Sequence, residues 1–290
     1  MRKIALTLAV SGSLLLASCG GGDSASDSSE PAGKTYASAA ECVADNPTVE
    51  DGVLTIGTGD PAYEPWVIGD KPESKEGFEA AVAYAVAKQL GFEDSAVKWV
   101  RTTFDEAIQP GAKNFDFNLQ QYTITEERKQ NVAFSDSYYA TNQAIVGLND
   151  SAAKGATTLD AIKKLKLGAQ AGTTSLDFIT EVIQPDTEPF IYDDNAGAKA
   201  ALEAKQINAA VFDLPTALYV SAVEIEGSSV LGQFPAQDGA EADQFGLVFD
   251  LENGLVECAN IALADLKESG SLNDITAQWL STSTNIPVIE

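Results

Sequence analysis

Residues 53–102 constrain the fold class more than any other stretch. VLTIGT (53–58) and VKWVRT (97–102) are short apolar runs of strand type. Between them lies GFEAAVAYAVAKQLG (77–91), where Phe78, Val82, Ala85, Val86 and Leu90 recur at helical spacing and Gly91 supplies a stop. The same alternation continues along the chain. FDFNLQ (115–120), QAIVGL (143–148), KLGAQ (166–170), AAVFD (209–213) and FGLVF (245–249) read as strands. Helical patterns open at Thr157-Thr158-Leu159-Asp160 and occupy 173–183, 196–206, 214–224, 255–270 and 271–280. Strands alternating with helices imply an α/β architecture with sheets covered on both faces. Residues 140–148 and 236–246 are extended connections flanking a self-contained βαβ region. They suit two lobes joined by two crossings, although spacing alone is equally consistent with one continuous sheet.

The chain starts with MRKIALTLAVSGSLLLASC, a charged start followed by an apolar run too short to span a bilayer. Leu16-Ala17-Ser18-Cys19 resembles a bacterial lipobox, so residues 1–19 are expected to be a signal peptide and Cys19 an acylated anchor carrying palmitate. The other reading is an ordinary secretory peptide that happens to end in Cys. GGGDSASDSSEPAGK (20–34) has no large apolar side chain, and the expected tether extends over 20–50. With Cys19 lipidated, Cys42 and Cys258 are left in an oxidising compartment, where two thiols more often pair than stay free.

Charge narrows the functional classes. The 43 acidic residues outnumber 18 basic ones, for a formal net charge of −25. Such a field repels nucleic acid and anionic lipid surfaces. Histidine is absent, which removes the commonest general base and the commonest metal ligand together. No metal or cofactor is expected.

Four segments place polar or aromatic residues at strand ends, where α/β folds hold ligands. GTGDPAYEPW (57–66) carries Asp60, Tyr63 and Trp66 on a loop, as ligand contacts or as plain packing. QQYTITEERK (120–129) sets Thr123 and Thr125 near Arg128. That guanidinium either receives an anion from outside or is a surface charge paired with Glu126 or Glu127. AGTTSLDF (171–178) offers Thr173 and Thr174 at a helix start, as an anion site or as a simple cap. AAVFDLPTA (209–217) ends a buried strand in Asp213, which either caps the next helix or receives an ammonium group. An arginine, a threonine-bearing helix start and an aspartate are the minimum needed to hold a free α-amino acid by both charged ends.

The order of these segments resembles bacterial extracellular solute-binding proteins of family 3, the polar amino-acid type that serves ABC importers. The resemblance runs over nearly all of residues 51–285. Its most specific part is T-I-T-x-x-R followed by V-x-F-S-x-x-Y-Y within TITEERKQNVAFSDSYY (123–139), with the Gly-Phe-Glu, Gly-Thr-Thr and Asp213 segments also matching. PGAKNFDFNLQQ (110–121) looks like an actinobacterial-type subgroup. The resemblance implies a two-lobed periplasmic binding protein-like type II fold, each lobe a sheet flanked by helices, joined by two hinge strands. Lobe 1 would comprise 51–141 and 244–290, and lobe 2 would comprise 142–243. Arg128 would grip the ligand carboxylate with Thr123 and Thr173 or Thr174, and Asp213 would hold its ammonium. Tyr63, Trp66 and Phe104 would line the side-chain region, with Gln121 at its polar edge. Two departures stand out: Ala81 replaces the family's usual second acid, and residues 104–116 are about one residue short, which weakens the place of Phe104.

The function so implied is capture of a free amino acid by lobe closure on the extracytoplasmic face, at the cell surface or in the periplasm, by a monomer anchored through lipid alone. A lining of Gln120, Gln121, Tyr63, Trp66 and Glu79 suits a polar or aromatic ligand better than an acidic one. The partners are the amino acid and the importer's permease subunits. The rival from another class is a cyclohexadienyl dehydratase-like enzyme on the same scaffold, for which Glu79 or Glu64 would serve as base. A receptor ectodomain and a structural adhesin are further alternatives.

Overall fold

The computed structural model describes residues 34–235, 242–280 and 285–289. The signal segment, Cys19 and the first part of the tether lie outside the described residues. So do positions 236–241 of the second expected crossing.

The first helix, α1 (Ala39–Asp45), starts where the side chain of Ser38 accepts from the Glu41 backbone N–H. It falls within the stretch read as tether, and its Ala39 and Cys42 are buried. A disulfide joins Cys42 to Cys258 with their Cα atoms 5.3 Å apart. The core therefore takes in α1 from Ala39, and the expected tether to residue 50 is too long. Small and apolar side chains of α1 give it a face to bury, which GGGDSASDSSE lacks.

Lobe 1 is built on β1 (Leu54–Gly59), β2 (Val97–Thr102), β3 (Phe117–Asn118), β4 (Ala133–Phe134) and β12 (Val248–Phe249), in the order β2-β1-β3-β12-β4. The pairs of β1 are parallel, and β12 runs antiparallel to both neighbours. Helices α2 (Phe78–Gln89), α8 (Leu255–Glu268) and α9 (Ser271–Trp279) cover this sheet in one core with α1. The short α3 (Phe104–Ile108), closed by a capping box between Thr103 and Glu106, contributes to a second cluster on the same lobe. Gly77 opens α2 with φ +106, and a Cβ there would sit 2.5 Å from the Trp66 carbonyl oxygen. Only glycine permits this approach of the chain to the first strand–helix loop.

Lobe 2 has β6 (Gln143–Leu148), β7 (Leu167–Gln170), β8 (Phe190–Tyr192), β9 (Ala209–Asp213) and β10 (Ser228–Phe234), ordered β10-β6-β9-β7-β8. Around it pack α4 (Leu159–Ile162), α5 (Thr174–Asp177), α6 (Asn195–Glu203) and α7 (Leu214–Tyr219). Both α5 and α7 continue as more widely wound turns, Phe178–Ile183 and Val220–Glu224. Two cores lie on the two faces of the sheet, one around Ile145, Leu167 and Val211 and one around Val146, Leu202 and Phe212.

Between the lobes, β5 (Tyr139–Thr141) and β11 (Asp243–Phe245) pair antiparallel as the two hinge strands. The expected strand FGLVF is therefore two strands: the chain leaves the hinge at Phe245 and joins the lobe 1 sheet at Val248. FDFNLQ contracts to Phe117–Asn118, and β4, β8 and β10 were not apparent as apolar runs. The end of the chain also departs from expectation. Ile289 is buried in a lobe 2 core, and Val288 bridges to Gln233 of β10. Backbone bonds run from Gln233 to the Pro287 carbonyl at 2.8 Å and from Ile289 to the Gln233 carbonyl at 3.0 Å. Residues 285–289 thus belong with lobe 2, not lobe 1, because the edge strand β10 offers them free backbone groups.

Candidate functional site: a charged cleft between two lobes

Arg128 begins a single tight turn, Arg128–Gln130, after the Thr-Ile-Thr run. Its side chain is only 8% exposed. Nη1 donates to the Thr123 carbonyl of lobe 1 at 2.7 Å and Nη2 to the Gly172 carbonyl of lobe 2 at 2.9 Å. The guanidinium carbon lies 5.4 Å from the centre of the Phe104 ring. Among the described residues no carboxylate forms an ion pair with it, and Glu126 pairs instead with Lys129 at 2.7 Å. Burial lowers its pKa, which Tyr122 and, less strongly, Asp177, Asp243 and Asp213 oppose. The surface-charge reading of Arg128 is thereby removed. Gly172, at φ +67, presents its carbonyl to the arginine and leaves only 3.0 Å between a hypothetical Cβ and Asp105.

Thr173 and Thr174 divide the two roles foreseen for them. Thr173 caps α5, its hydroxyl accepting from Leu176 N–H and donating to the Gln170 carbonyl. Thr174 turns toward lobe 1, with its hydroxyl 3.3 Å from that of Thr123. Asp213 ends β9 and makes no capping bond to α7. Its Oδ1 accepts from Gln143 Nε2 at 3.1 Å, and burial, then the negative charge of Asp243, pushes its pKa up to about 8.

A cavity of about 180 Å³ opens between the lobes. Asp60, Tyr63, Phe104 and Gln121 line it from lobe 1, and Thr173, Asp193 and Asp194 from lobe 2. Lys199 Nζ lies 5.0 Å from the centre of the Tyr63 ring. Desolvation first, then Asp194, pushes the phenol up to about 12. Gln121 adopts φ 51 and is fixed by Glu79, which accepts from the Gln121 backbone N–H at 2.8 Å, from its side-chain amide and from Tyr138.

Two sequence expectations need correction here. Trp66 does not line the cavity. It is 1% exposed, edge-on to Phe78, Tyr139 and Phe245, and its indole N–H donates to Thr216 of α7 at 2.9 Å. The ring gains more by burial in that aromatic cluster, and Thr216 satisfies the one polar atom that burial would otherwise strand. Glu79 is also sealed at 1% exposure beneath Gln121, with burial raising its pKa to about 7.

Gln143 and Asp243 were missed. Gln143 Nε2 donates to Asp243 Oδ2 at 2.6 Å as well as to Asp213, and Ser175 donates to Gln143 Oε1 at 2.7 Å. Each is the first residue of its strand, and for Gln143 a polar residue opening an apolar run was the available signal.

Two α/β lobes on paired hinge strands, with Arg128 bonded to a carbonyl of each lobe and Asp213 and Asp243 sharing one amide beside the hinge, define a two-lobed binding protein. A model of the bacterial extracellular solute-binding proteins, family 3, matches residues 54–282. The chain belongs to that family. It is 26% identical to the arginine-binding periplasmic protein of Mannheimia haemolytica over 223 residues, 76% of this chain and 89% of that one. With the ABC transporter glutamine-binding protein GlnH of Bacillus subtilis strain 168 it shares 28% identity over 273 residues, 92% of each. The ancestral amino acid-binding protein AncCDT-1, a precursor of cyclohexadienyl dehydratase, superposes with a TM-score of 0.66 at 28% identity, covering 84% of this chain and 100% of that chain.

Proposed function

We propose that this protein is the extracytoplasmic substrate-binding component of an ABC importer, capturing one free amino acid by closure of its lobes. The observation that carries the reading is a division of buried groups: among the described residues, a guanidinium with no carboxylate in ion-pair contact on one side, and an aspartate with no cation in ion-pair contact on the other. Arg128 grips the ligand carboxylate, with Thr123 and Thr174 beside it, and Asp213 receives the ammonium. Asp60, Tyr63, Phe104, Gln121 and Thr173 face the ligand side chain, which is polar or aromatic. Cleft contacts to both lobes form only on closure, so the ligand stabilises the closed state by its differential affinity for it. The lobes are 36–141 with 242–280 and 142–235 with 285–289. The protein works as a monomer, anchored by lipid at Cys19, and delivers to permease subunits.

Catalysis on this scaffold is the second reading. Glu79 is held by Tyr138 and Gln121, and Glu64 by Gly69 N–H at 2.8 Å and the Tyr219 hydroxyl. Neither candidate base lines the cavity, which favours binding over turnover. A thermal-shift screen with the twenty amino acids, ornithine, citrulline and cystine tests the proposal. At least one should raise the melting temperature, Asp213→Asn should reduce that shift, and turnover of prephenate should be absent. No shift with any of them, or turnover of prephenate, would contradict it.

A further inference from the structure

Asp213 does not stand alone at the ammonium end of the cleft. Asp243, on hinge strand β11, shares with it a single amide group: Gln143 Nε2 lies 2.6 Å from Asp243 Oδ2 and 3.1 Å from Asp213 Oδ1. The orientation of that amide is set from behind, because Ser175 donates to Gln143 Oε1 at 2.7 Å and so turns the NH2 toward the acids. Thr174 Oγ1 lies 3.3 Å from the same Asp243 oxygen and 3.3 Å from Thr123 Oγ1. Three separate elements thus bring two carboxylates to one point, and the only donors found there among the described residues are neutral. An amide carries two N–H groups, one for each acid, and no positive charge. Two carboxylates this close are stabilised when a cation enters between them.

We propose that Asp243 is a second acid for the ligand's α-ammonium, paired with Asp213 across Gln143, so that one group on the ligand is bound by lobe 2 and by the hinge strand at once. This rests on the reading of the cleft as an amino-acid site. An ammonium has three N–H donors, enough for one oxygen from each aspartate and the Thr174 hydroxyl. The charged groups facing Asp213 are Asp243 from β11, Glu79 from α2 and Arg128 from the turn after Thr-Ile-Thr, with Tyr138 and Tyr139 also within its field. Of these, only Arg128 is a cation, and it is engaged with two carbonyls. The empty arrangement therefore holds an excess of acid that an incoming ammonium relieves. Because β11 is one of the two hinge strands, the same contact ties ligand occupancy to hinge geometry.

The test compares charge with shape at one position. Asp243→Asn keeps the acceptor for Gln143 and removes the charge, and Asp243→Glu keeps the charge and alters the length. Calorimetric titrations of wild type and both variants use as probes L-arginine, L-glutamine, L-histidine and L-cystine, preceded by ligand-free melting of each protein. The expected result is a loss of about tenfold in affinity for Asp243→Asn, recovery to within about threefold for Asp243→Glu, and ligand-free melting temperatures that do not follow that order. Affinity within twofold of wild type for Asp243→Asn, or equal losses for Asn and Glu, would overturn the proposal and leave the amino-acid reading intact. Binding of none of the four probes by wild type would overturn both.

Discussion

Glu79 shows how one residue carries both support and a pH signature. It is a carboxyl buried under Gln121, whose left-handed backbone it holds against the cleft. Its pKa of about 7 is raised above the ordinary value of 4.5, chiefly by desolvation, so the folded state binds a proton that the unfolded chain releases. Stability from this group is complete below pH ~4.5 and is lost as pH rises through ~7. Ligand-free melting temperatures should therefore fall between pH 5 and pH 8, and Glu79→Gln should reduce that slope, the remainder coming from Asp213, whose pKa of about 8 acts with the same sign. An unchanged slope in the variant would show that Glu79 is not the titrating group. The sequence displayed Arg128 and Asp213 because each sits at a recognisable strand end or motif. It concealed Gln143 and Asp243, which meet Asp213 and each other across 70 and 100 residues of chain, and it placed Glu79 at the cavity wall when its bond to Gln121, 42 residues on, seals it beneath that wall.

Elements were legible where a single face is buried in a continuous run. Helix α2 and strand β6 fall close to their expected bounds because their apolar residues are periodic or contiguous. Strand β10, SSVLGQF, was not apparent because small and polar residues interrupt it and its register shifts between Val230 and Gly232. The two-residue β3 and β12 lie inside the runs FDFNLQ and FGLVF but are cut short by where they pair, and β4 exists through pairing alone. The segment 285–289 is a further case. Its partner is the edge of β10, and burial of Ile289 against Gly232 is a contact between distant parts of the chain. Truncation after Leu280 should therefore lower stability by about 2 kcal/mol, the worth of burying one isoleucine side chain. A melting temperature equal to that of the intact protein would show that the segment adds nothing.

At the scale of the whole molecule, the hydrogen bonds that cross between the lobes among the described residues include Arg128 to the Gly172 carbonyl, Thr123 with Thr174, Trp66 to Thr216 and Tyr219 to Glu64, with Gln143 and Thr174 also reaching Asp243 of the hinge strand. Such bonds form only where the two lobes lie against each other, as closure around a ligand requires. Small-angle scattering should show a smaller radius of gyration with a bound amino acid than without, and identical profiles would argue against closure. The acidic excess of the chain, −25, adds a general repulsion that salt screens over ~8 Å at physiological ionic strength. That field covers the surface without defining the site, so the site had to be read from the few places where charge is buried.

Arg128 is the group proposed to bind the ligand carboxylate, and the rest of the site is arranged around it. Calorimetric titration of wild type and Arg128→Ala with arginine, glutamine, histidine and cystine measures this directly. Wild type should bind at least one of them with micromolar or tighter affinity, about −8 kcal/mol. The variant should show no binding heat, since leaving a buried carboxylate without its partner costs about 3–5 kcal/mol. Wild-type affinity retained by Arg128→Ala would contradict the central claim.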